Sequence, residues 1–258
     1  MKSNSSQKPS LKITKDGSHT LYSNRFEQHY HNPNGAIAES KHNFFRVNGL
    51  YQALSQRKEI TILEVGFGTG LNLLLLMDAL LSTEAKPNVN YYSIEAFPIE
   101  PQTAASFNFG QHLDHAQIAD SLIDIFAALT PGMNSFSLDP AIQAHIFNGF
   151  FDDFSTDNLQ ADFIFHDAFS PEVNPKLWTA DTFKKLKLLS SPDAILTTYS
   201  AASKAKEAMA AAGWHLAKTQ GALGKREMTV ASLNPKNLKS FERVDEERLA
   251  RRYEEGDF

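Results

Sequence analysis

The sequence contains no cysteine among its 258 residues. This absence excludes disulfides, thiolate metal ligands, iron–sulfur clusters and cysteine nucleophiles. Long apolar runs are also missing, because the most apolar stretch, 71–81, contains Asn72 and Asp78 and is too short to cross a bilayer. The polar N-terminus has no apolar segment of the kind found in signal peptides. We therefore expect a cytoplasmic protein with no membrane anchor and no metal site.

The remaining composition is that of an ordinary globular protein, with 42% hydrophobic and 21% charged residues. The length suits one large α/β domain with a small appendage. The charge is uneven, since the chain has a net charge of −5 while its segment 172–243 is rich in lysine and arginine. This segment is compatible with a surface that faces phosphates, and also with lysines on solvated helix faces.

Short apolar segments alternate with helical patterns along most of the chain. The segment 60–65 is typical of a buried parallel strand, and a helix should begin just past Gly70. Further strands are predicted at 91–94, 144–147, 163–165, 195–199, 214–218 and 227–231, and helices at 101–107, 179–189 and 203–212. The alternation predicts an α/β fold with a mainly parallel sheet that is covered by helices on both faces.

The two ends of the chain differ from this regular middle part. We expect residues 1–18 to be disordered and residues 19–56 to form an irregular extension that packs on the core. The main domain is then predicted to span 57–243. Residues 244–258 are highly charged and are predicted to form an exposed helix or tail.

A glycine-rich loop follows the first predicted strand of the main domain, where open α/β sheets usually bind their ligands. Its glycines let the backbone turn tightly and approach a ligand, and the next helix presents free N–H groups there. Dinucleotides and S-adenosylmethionine both use such loops, but the spacing G-x-G-x-G and the acid before it favour S-adenosylmethionine over NAD. The residues predicted to hold this cofactor are Glu64, Gly66, Gly68, Thr69, Gly70 and Asn72.

Three further acids are candidates for the adenosine end of the cofactor. Glu95 ends the second strand of the main domain, where a carboxylate can accept hydrogen bonds from ribose hydroxyls, although an exposed strand-end acid is the alternative. Asp152 and Asp153 follow the third strand and are predicted to contact the adenine amino group, or else to be solvated loop acids.

Three motifs occur in a recognisable order: GFGTGLN, then ADFIFHDAFSPEVNPKLWT, then TYSAA with GALGKREM. Over about residues 21–231 the chain resembles the tRNA 5-methylaminomethyl-2-thiouridine methyltransferases, which comprise the methyltransferase half of MnmC and the stand-alone MnmD. The resemblance implies a Rossmann-like class I S-adenosylmethionine-dependent methyltransferase fold, with a mainly parallel seven-stranded sheet and an N-terminal extension. Tyr30, Glu39 and His42 in that extension match family-like positions.

The resemblance also implies a reaction, a partner and a division of labour. The reaction is methylation of the exocyclic amine of 5-aminomethyl-(2-thio)uridine at the tRNA wobble position, so the partner is the anticodon region of tRNA. Bifunctional members carry a flavin domain that prepares the amine, and because 258 residues leave no room for it we expect a separate enzyme to supply the amine. A methyltransferase for a small-molecule amine and a silent binding protein are the alternatives. The sequence makes no prediction of the oligomeric state.

Asp167 is the predicted catalytic residue, because it lies at the carboxyl end of the fourth strand. An alkylammonium has no lone pair, so the amine must lose a proton, and a carboxylate there can accept it or hold the amine in line. The predicted substrate-binding residues are Phe169, Trp178, Tyr199, Lys225 and Arg226. Core packing is the alternative for the aromatic residues, and a structural ion pair is the alternative for Arg226. His166 is expected to be a buried, hydrogen-bonded histidine.

Overall fold

The computed structural model describes residues 8–256 and places twelve strands within them. The strands are β1 Ser10–Ile13, β2 His19–Ser23, β3 Gln28–His29, β4 Glu59–Val65, β5 Asn88–Glu95, β6 Gly132–Asp139, β7 Ile142–Asn148, β8 Ala161–His166, β9 Ser190–Thr198, β10 His215–Thr219, β11 Met228–Ser232 and β12 Glu242–Arg243. The α-helices are α1 Ala36–Ser40, α2 Leu50–Gln56, α3 Leu71–Leu81, α4 Pro101–Ala104, α5 Ser121–Ala128, α6 Ala180–Leu188, α7 Ser203–Ala211 and α8 Glu246–Glu255. A π-helical segment, Lys41–Arg46, joins α1 to α2.

Nine strands form one sheet in the order β12-β10-β11-β9-β8-β4-β5-β7-β6. The five central strands, from β9 to β7, are parallel, and the flanking pairs are antiparallel. This confirms the predicted α/β fold with a mainly parallel sheet. The order reverses beside β4, so the loop after β4 lies at the switch point where such sheets bind ligands.

The sheet has two strands more than the seven that were predicted, and both lie at its edges. In β6 each intermediate side chain alternates with an exposed one, so this strand lacks the apolar run that marks a buried strand. The backbone hydrogen bonds to β7 hold β6 in the sheet. The strand β12 has only two residues and pairs with β10, which is too short a pattern to detect in a sequence.

The start of the chain is more regular than the sequence predicted. The strands β1, β2 and β3 form a separate antiparallel sheet, and the Thr14 hydroxyl donates to Asp16 at 2.6 Å in the turn after β1. The prediction of disorder is therefore wrong for residues 8–18, while residues 1–7 lie outside the described part of the chain. The pairing of β1 with β2 and the hydrogen bond in this turn hold the segment in place. The polar composition of the segment gives no sign of these contacts.

Two apolar layers cover the sheet, one on each face. The layer that contains α1, α2, α3 and α5 packs against β4, β5 and β7, and the layer that contains α6 and α7 packs against β8 and β9. The charged segment that was predicted to be an exposed helix or tail forms the helix α8, whose Tyr253 packs on the second layer and accepts a hydrogen bond from the Ala180 N–H at 3.0 Å. None of the helices within 8–256 combines the length and apolarity that a membrane crossing requires.

Candidate active site

A cavity of about 450 Å³ lies at the carboxyl ends of the central strands, with one wall supplied by the N-terminal sheet. Its size is in the range of small-molecule and cofactor sites. Eight of the residues predicted from the sequence line it: Gly66, Gly68, Glu95, Asp152, Asp153, Asp167, Phe169 and Tyr199. The cavity therefore gathers side chains from the ends of several strands, as the topology requires.

The glycine loop approaches its neighbours too closely for side chains. Gly66 has a φ of +98°, and a Cβ there would lie 2.9 Å from the backbone oxygen of Asp167. Gly68 has a φ of +55°, and a Cβ there would lie 3.2 Å from Tyr30 Cδ1. Both positions need the left-handed conformation that glycine adopts without strain. The loop thus presents bare backbone to the cavity.

Glu95 fastens the glycine loop to the end of β5. Its carboxylate accepts the Gly68 N–H and the Phe97 N–H, each at 2.8 Å. Burial raises the pKa of Glu95, and these backbone hydrogen bonds act in the opposite direction. A carboxylate has about four lone-pair sites, so Glu95 keeps acceptor capacity for a hydroxyl group of a ligand.

Glu64 lies behind the cavity rather than in its wall. It is 1% exposed, and it accepts hydrogen bonds from the Tyr91 hydroxyl, from Ser93 Oγ at 2.7 Å and from Asn72 Nδ2 at 2.8 Å. Burial raises its pKa to about 7, and the three hydrogen bonds lower it only in part. With both oxygens occupied by protein donors, Glu64 supports the site from beneath.

Asn72 links Glu64 to Asp167. Its Nδ2 donates to both carboxylates, at 2.8 Å to Glu64 and at 3.1 Å to Asp167. Its Oδ1 is buried and has no hydrogen-bond partner within the described residues. Asn72 does not line the cavity, so its role is to hold the two carboxylates in place.

The surroundings of Asp167 disfavour its charged form. Burial raises its pKa well above the usual range, and the negative charges of Glu64 and Glu39 raise it further. The hydrogen bond from Asn72 and the positive charge of Lys225 act in the other direction. An acid in such a cavity is matched to a cationic ligand or to accepting a proton.

The N-terminal sheet supplies an aromatic wall that the sequence did not reveal. Phe26 stacks on Phe169 with a centroid distance of 4.4 Å, and Tyr30 meets the same ring edge-on at 5.0 Å. Gln28 accepts the Ser170 N–H at 3.1 Å and ties this sheet to the loop after β8. The many aromatic residues of this region were a signal for such a wall. Their spacing, however, has no period that shows which of the side chains face the cavity.

Several residues that were predicted to contact ligands lie outside the cavity wall. Trp178 is only 4% exposed and its Nε1 donates to the Phe169 carbonyl at 2.8 Å, so the prediction that it stacks on a base is wrong. Glu64, Thr69, Gly70 and Asn72 are buried around the loop. His166 is buried as expected, with Nε2 2.9 Å from the Leu177 carbonyl and a pKa lowered by burial to about 4.

The two basic residues of the last motif also lie outside the cavity wall. Lys225 pairs with Glu39 at 2.6 Å, and its ammonium lies 5.2 Å from the centre of the Tyr199 ring. Arg226 is exposed and forms no ion pair within residues 8–256, so it is not the partner of Asp167. The ion pair that the sequence left open for Arg226 is instead made by Lys225.

The sheet order, the glycine loop, Glu95 and the acid-rich cavity define an S-adenosylmethionine-dependent methyltransferase. In agreement, residues 117–234 match the protein family described as S-adenosyl-L-methionine-dependent methyltransferase. The acids Glu95 and Asp167 in the cavity wall fit a cationic cofactor that carries ribose hydroxyls and an ammonium group. S-adenosylmethionine is thus the cofactor of this fold.

Similarity to known proteins indicates which kind of methyltransferase the chain resembles. The chain is 31% identical over 222 residues to the tRNA 5-methylaminomethyl-2-thiouridine biosynthesis bifunctional protein MnmC of Burkholderia multivorans, covering 84% of this chain and 34% of that protein. It is 32% identical over 227 residues to MnmC of Cupriavidus metallidurans, covering 86% and 34% respectively. The crystal structure of MNMC2 from Aquifex aeolicus superposes with a TM-score of 0.71 at 27% identity, covering 95% of this chain and 75% of that one.

These similarities confirm the resemblance found in the motifs. The chain carries a methyltransferase domain of the MnmC type. It spans about a third of the length of the curated relatives that it matches.

Proposed function

We propose that this protein transfers a methyl group from S-adenosylmethionine to the exocyclic amine of 5-aminomethyl-(2-thio)uridine at the wobble position of tRNA. The observation that carries the proposal is the position of Asp167, a half-buried acid at the end of β8 in the wall of the ligand cavity. The MnmC proteins that the chain resembles are named for the biosynthesis of the corresponding methylaminomethyl nucleoside. We further propose a cytoplasmic location, because tRNA is the substrate.

Asp167 binds the substrate amine and receives its proton. The bound cofactor supplies the electrophilic methyl group. The raised pKa of Asp167 makes it a stronger base than an exposed aspartate, and its fixed hydrogen bond to Asn72 holds it in place. Once deprotonated, the amine nitrogen has the lone pair that would form the new bond to the methyl carbon while the bond between that carbon and the cofactor sulfur breaks, so that the positive charge passes from sulfur to nitrogen and the cofactor leaves as a neutral thioether.

The remaining cavity residues divide into a cofactor side and a substrate side. Gly66, Gly68 and Glu95 hold the cofactor through backbone contact and through ribose hydroxyls, with Asp152 and Asp153 near the adenine. Phe169 and Tyr199 border the target base. Glu64 and Asn72 act indirectly, because Asn72 holds Asp167 in place and Glu64 anchors Asn72.

The amine is supplied by another catalytic unit in this proposal. Methylation needs the aminomethyl group to be present already, so an enzyme that produces this group on tRNA must act before this one. We propose that this enzyme is a separate protein.

The direct test is incubation with methyl-labelled S-adenosylmethionine and tRNA that bears 5-aminomethyl-2-thiouridine, followed by mass spectrometry of the nucleosides. We expect the label in 5-methylaminomethyl-2-thiouridine. Cofactor binding without transfer to this nucleoside would contradict the proposed substrate, and transfer to a free amine in the same assay would favour a small-molecule methyltransferase.

The role of Asp167 is tested by Asp167→Asn in the same assay. We expect turnover to fall by about 100-fold or more, because general base catalysis of this kind contributes about 10² to 10⁴ in rate. The matched control is Asp162→Asn on the same strand, whose carboxylate pairs with Arg57 at 3.1 Å and does not line the cavity. Full turnover by Asp167→Asn would remove Asp167 from the reaction.

A further inference from the structure

Two cationic side chains line the cavity, and they come from separate walls. Arg25 lies in the turn between β2 and β3, and Lys176 lies in the 3₁₀ segment Pro175–Trp178 after β8. Both residues are exposed. Within the part of the chain that the structure describes, neither of them forms an ion pair. Their charges are therefore available to a ligand at the mouth of the cavity.

The guanidinium of Arg25 has a defined position although it is exposed. Its Cζ lies 3.7 Å from the centre of the Phe97 ring and 5.9 Å from that of Phe26. A cation over an aromatic face is held there by the ring quadrupole. Arginine stacked in this way still directs its N–H groups outward, which suits a planar or tetrahedral oxyanion.

Two other cations beside the cavity already have partners within the protein. Lys225 is paired with Glu39 at 2.6 Å, and Lys185 Nζ donates to the Phe151 carbonyl at 2.7 Å and to the Asp152 carbonyl at 2.9 Å. The acids in the cavity wall, by contrast, are suited to a cationic cofactor and to an amine. An anionic part of the substrate must therefore be bound at the rim rather than inside the cavity.

We infer that Arg25 and Lys176 bind the backbone phosphates next to the nucleotide whose base enters the cavity. This inference rests on the proposed function, because a tRNA substrate brings backbone phosphates to the rim while its base reaches Asp167. A base must leave its stack to enter such a pocket, so the adjoining chain is single-stranded at that point. Phosphate contacts of this kind position the substrate without reading its sequence.

The test is the salt dependence of tRNA binding by Arg25→Ala, Lys176→Ala and the double variant. Each lost phosphate contact is expected to reduce the slope of log K against log[salt] by about 1, and the double variant by about 2. Arg25→Lys keeps the charge and should keep most of the slope. Lys236→Ala is the matched control, since Lys236 is also exposed but does not line the cavity.

Two results would overturn the inference. One is a slope for the double variant equal to that of the wild type. The other is a loss of S-adenosylmethionine affinity in Arg25→Ala or Lys176→Ala with an unchanged slope, which would assign the cation to the cofactor carboxylate. Failure of the proposed function is distinguishable, because it would appear in the wild type as the absence of methylated nucleoside in the labelled tRNA.

Discussion

The residues that matter most for chemistry here are buried and half-buried acids that lie far apart in the sequence. Glu64, Glu95 and Asp167 end three different strands, and burial raises the pKa of each. Asn72 holds two of them together, with a hydrogen bond to each carboxylate. Such a cluster opposes its own ionisation, and a positively charged ligand relieves that opposition.

Glu64 should make the stability of the free protein depend on pH. Its pKa rises from 4.5 in the unfolded chain to about 7 in the folded protein. The stability that this shift in the pKa of Glu64 provides is fully present below pH 4.5 and is lost as the pH rises through 7. The loss in the free energy of unfolding is about 3 kcal/mol. Urea unfolding at pH 5 and pH 8 measures this loss.

The matched variant for that measurement is Glu64→Gln, which cannot ionise. We expect its free energy of unfolding to fall less between pH 5 and pH 8 than that of the wild type. The absolute stability of the variant does not decide the matter, because only the difference between the two pH values reports Glu64. Equal losses in both proteins would show that Glu64 is ionised in the folded state already at pH 5.

Single residues also show where sequence-based interpretation reaches its limit. Trp178 and Phe169 stand in the same predicted loop, yet Trp178 is buried in the core and Phe169 lines the cavity. Lys225 and Arg226 are adjacent, yet only Lys225 forms an ion pair, with Glu39 from the extension. Side-chain direction and distant partners decide these outcomes, and neither is encoded in residue type.

Among the elements, α8 shows how a highly charged segment becomes part of the core layer. Its residues Leu249 and Tyr253 pack on the layer that contains α6 and α7. Its Arg252 pairs at 3.2 Å with Glu207 of α7, which is 1% exposed. The charge density of 244–258 predicted exposure, and no residue of the helix is fully buried, but one face of it places a cation beside a buried acid.

Removal of that pairing should destabilise the fold. Arg252→Ala leaves the Glu207 carboxylate buried without its cation, and we expect a loss of about 1–3 kcal/mol, below the usual range for a buried pair because Arg252 is partly exposed. Arg251→Ala is the control, since Arg251 is exposed and should change stability by less than about 0.5 kcal/mol. Denaturant unfolding measures both.

The double variant Glu207→Gln with Arg252→Ala separates charge burial from lost packing. If the uncompensated carboxylate is the cause, the double variant recovers much of the stability that Arg252→Ala loses. A double variant as unstable as Arg252→Ala would attribute the effect to the packing of the arginine stem instead.

At the scale of the whole molecule, the N-terminal sheet and the main sheet build the cavity together. Arg25, Phe26 and Tyr30 come from the former, and Glu95 and Asp167 from the latter. A ligand that fills the cavity bridges the two sheets and therefore stabilises the molecule as a unit. Binding to the folded state alone raises the free energy of unfolding by mass action.

S-adenosylmethionine should accordingly raise the melting temperature. At about 100 times Kd the stabilisation is about 2.7 kcal/mol, which corresponds to about 5–10 °C for a domain of this size. Differential scanning fluorimetry over a cofactor titration measures the shift. No shift at saturating cofactor would contradict the cofactor assignment of the cavity.

Two glycine variants make that experiment specific. Gly68→Ala and Gly49→Ala both place a side chain on a left-handed backbone, at φ of +55° and +79°. A Cβ at Gly49 meets nothing within 4 Å, whereas one at Gly68 faces Tyr30 at 3.2 Å beside the cavity. We expect both to lower the melting temperature of the free protein, and only Gly68→Ala to lose the cofactor-dependent rise.

The sequence by itself determined the parallel sheet, the glycine loop and the strand-end acids, because period, glycine spacing and strand order are local patterns with fixed consequences in α/β folds. It also determined the family through three ordered motifs. Only the tertiary structure decided that the N-terminal strands wall the cavity, that Glu64 lies beneath it and that Lys225 is neutralised. Those outcomes depend on contacts between segments up to 186 positions apart, which no local pattern specifies.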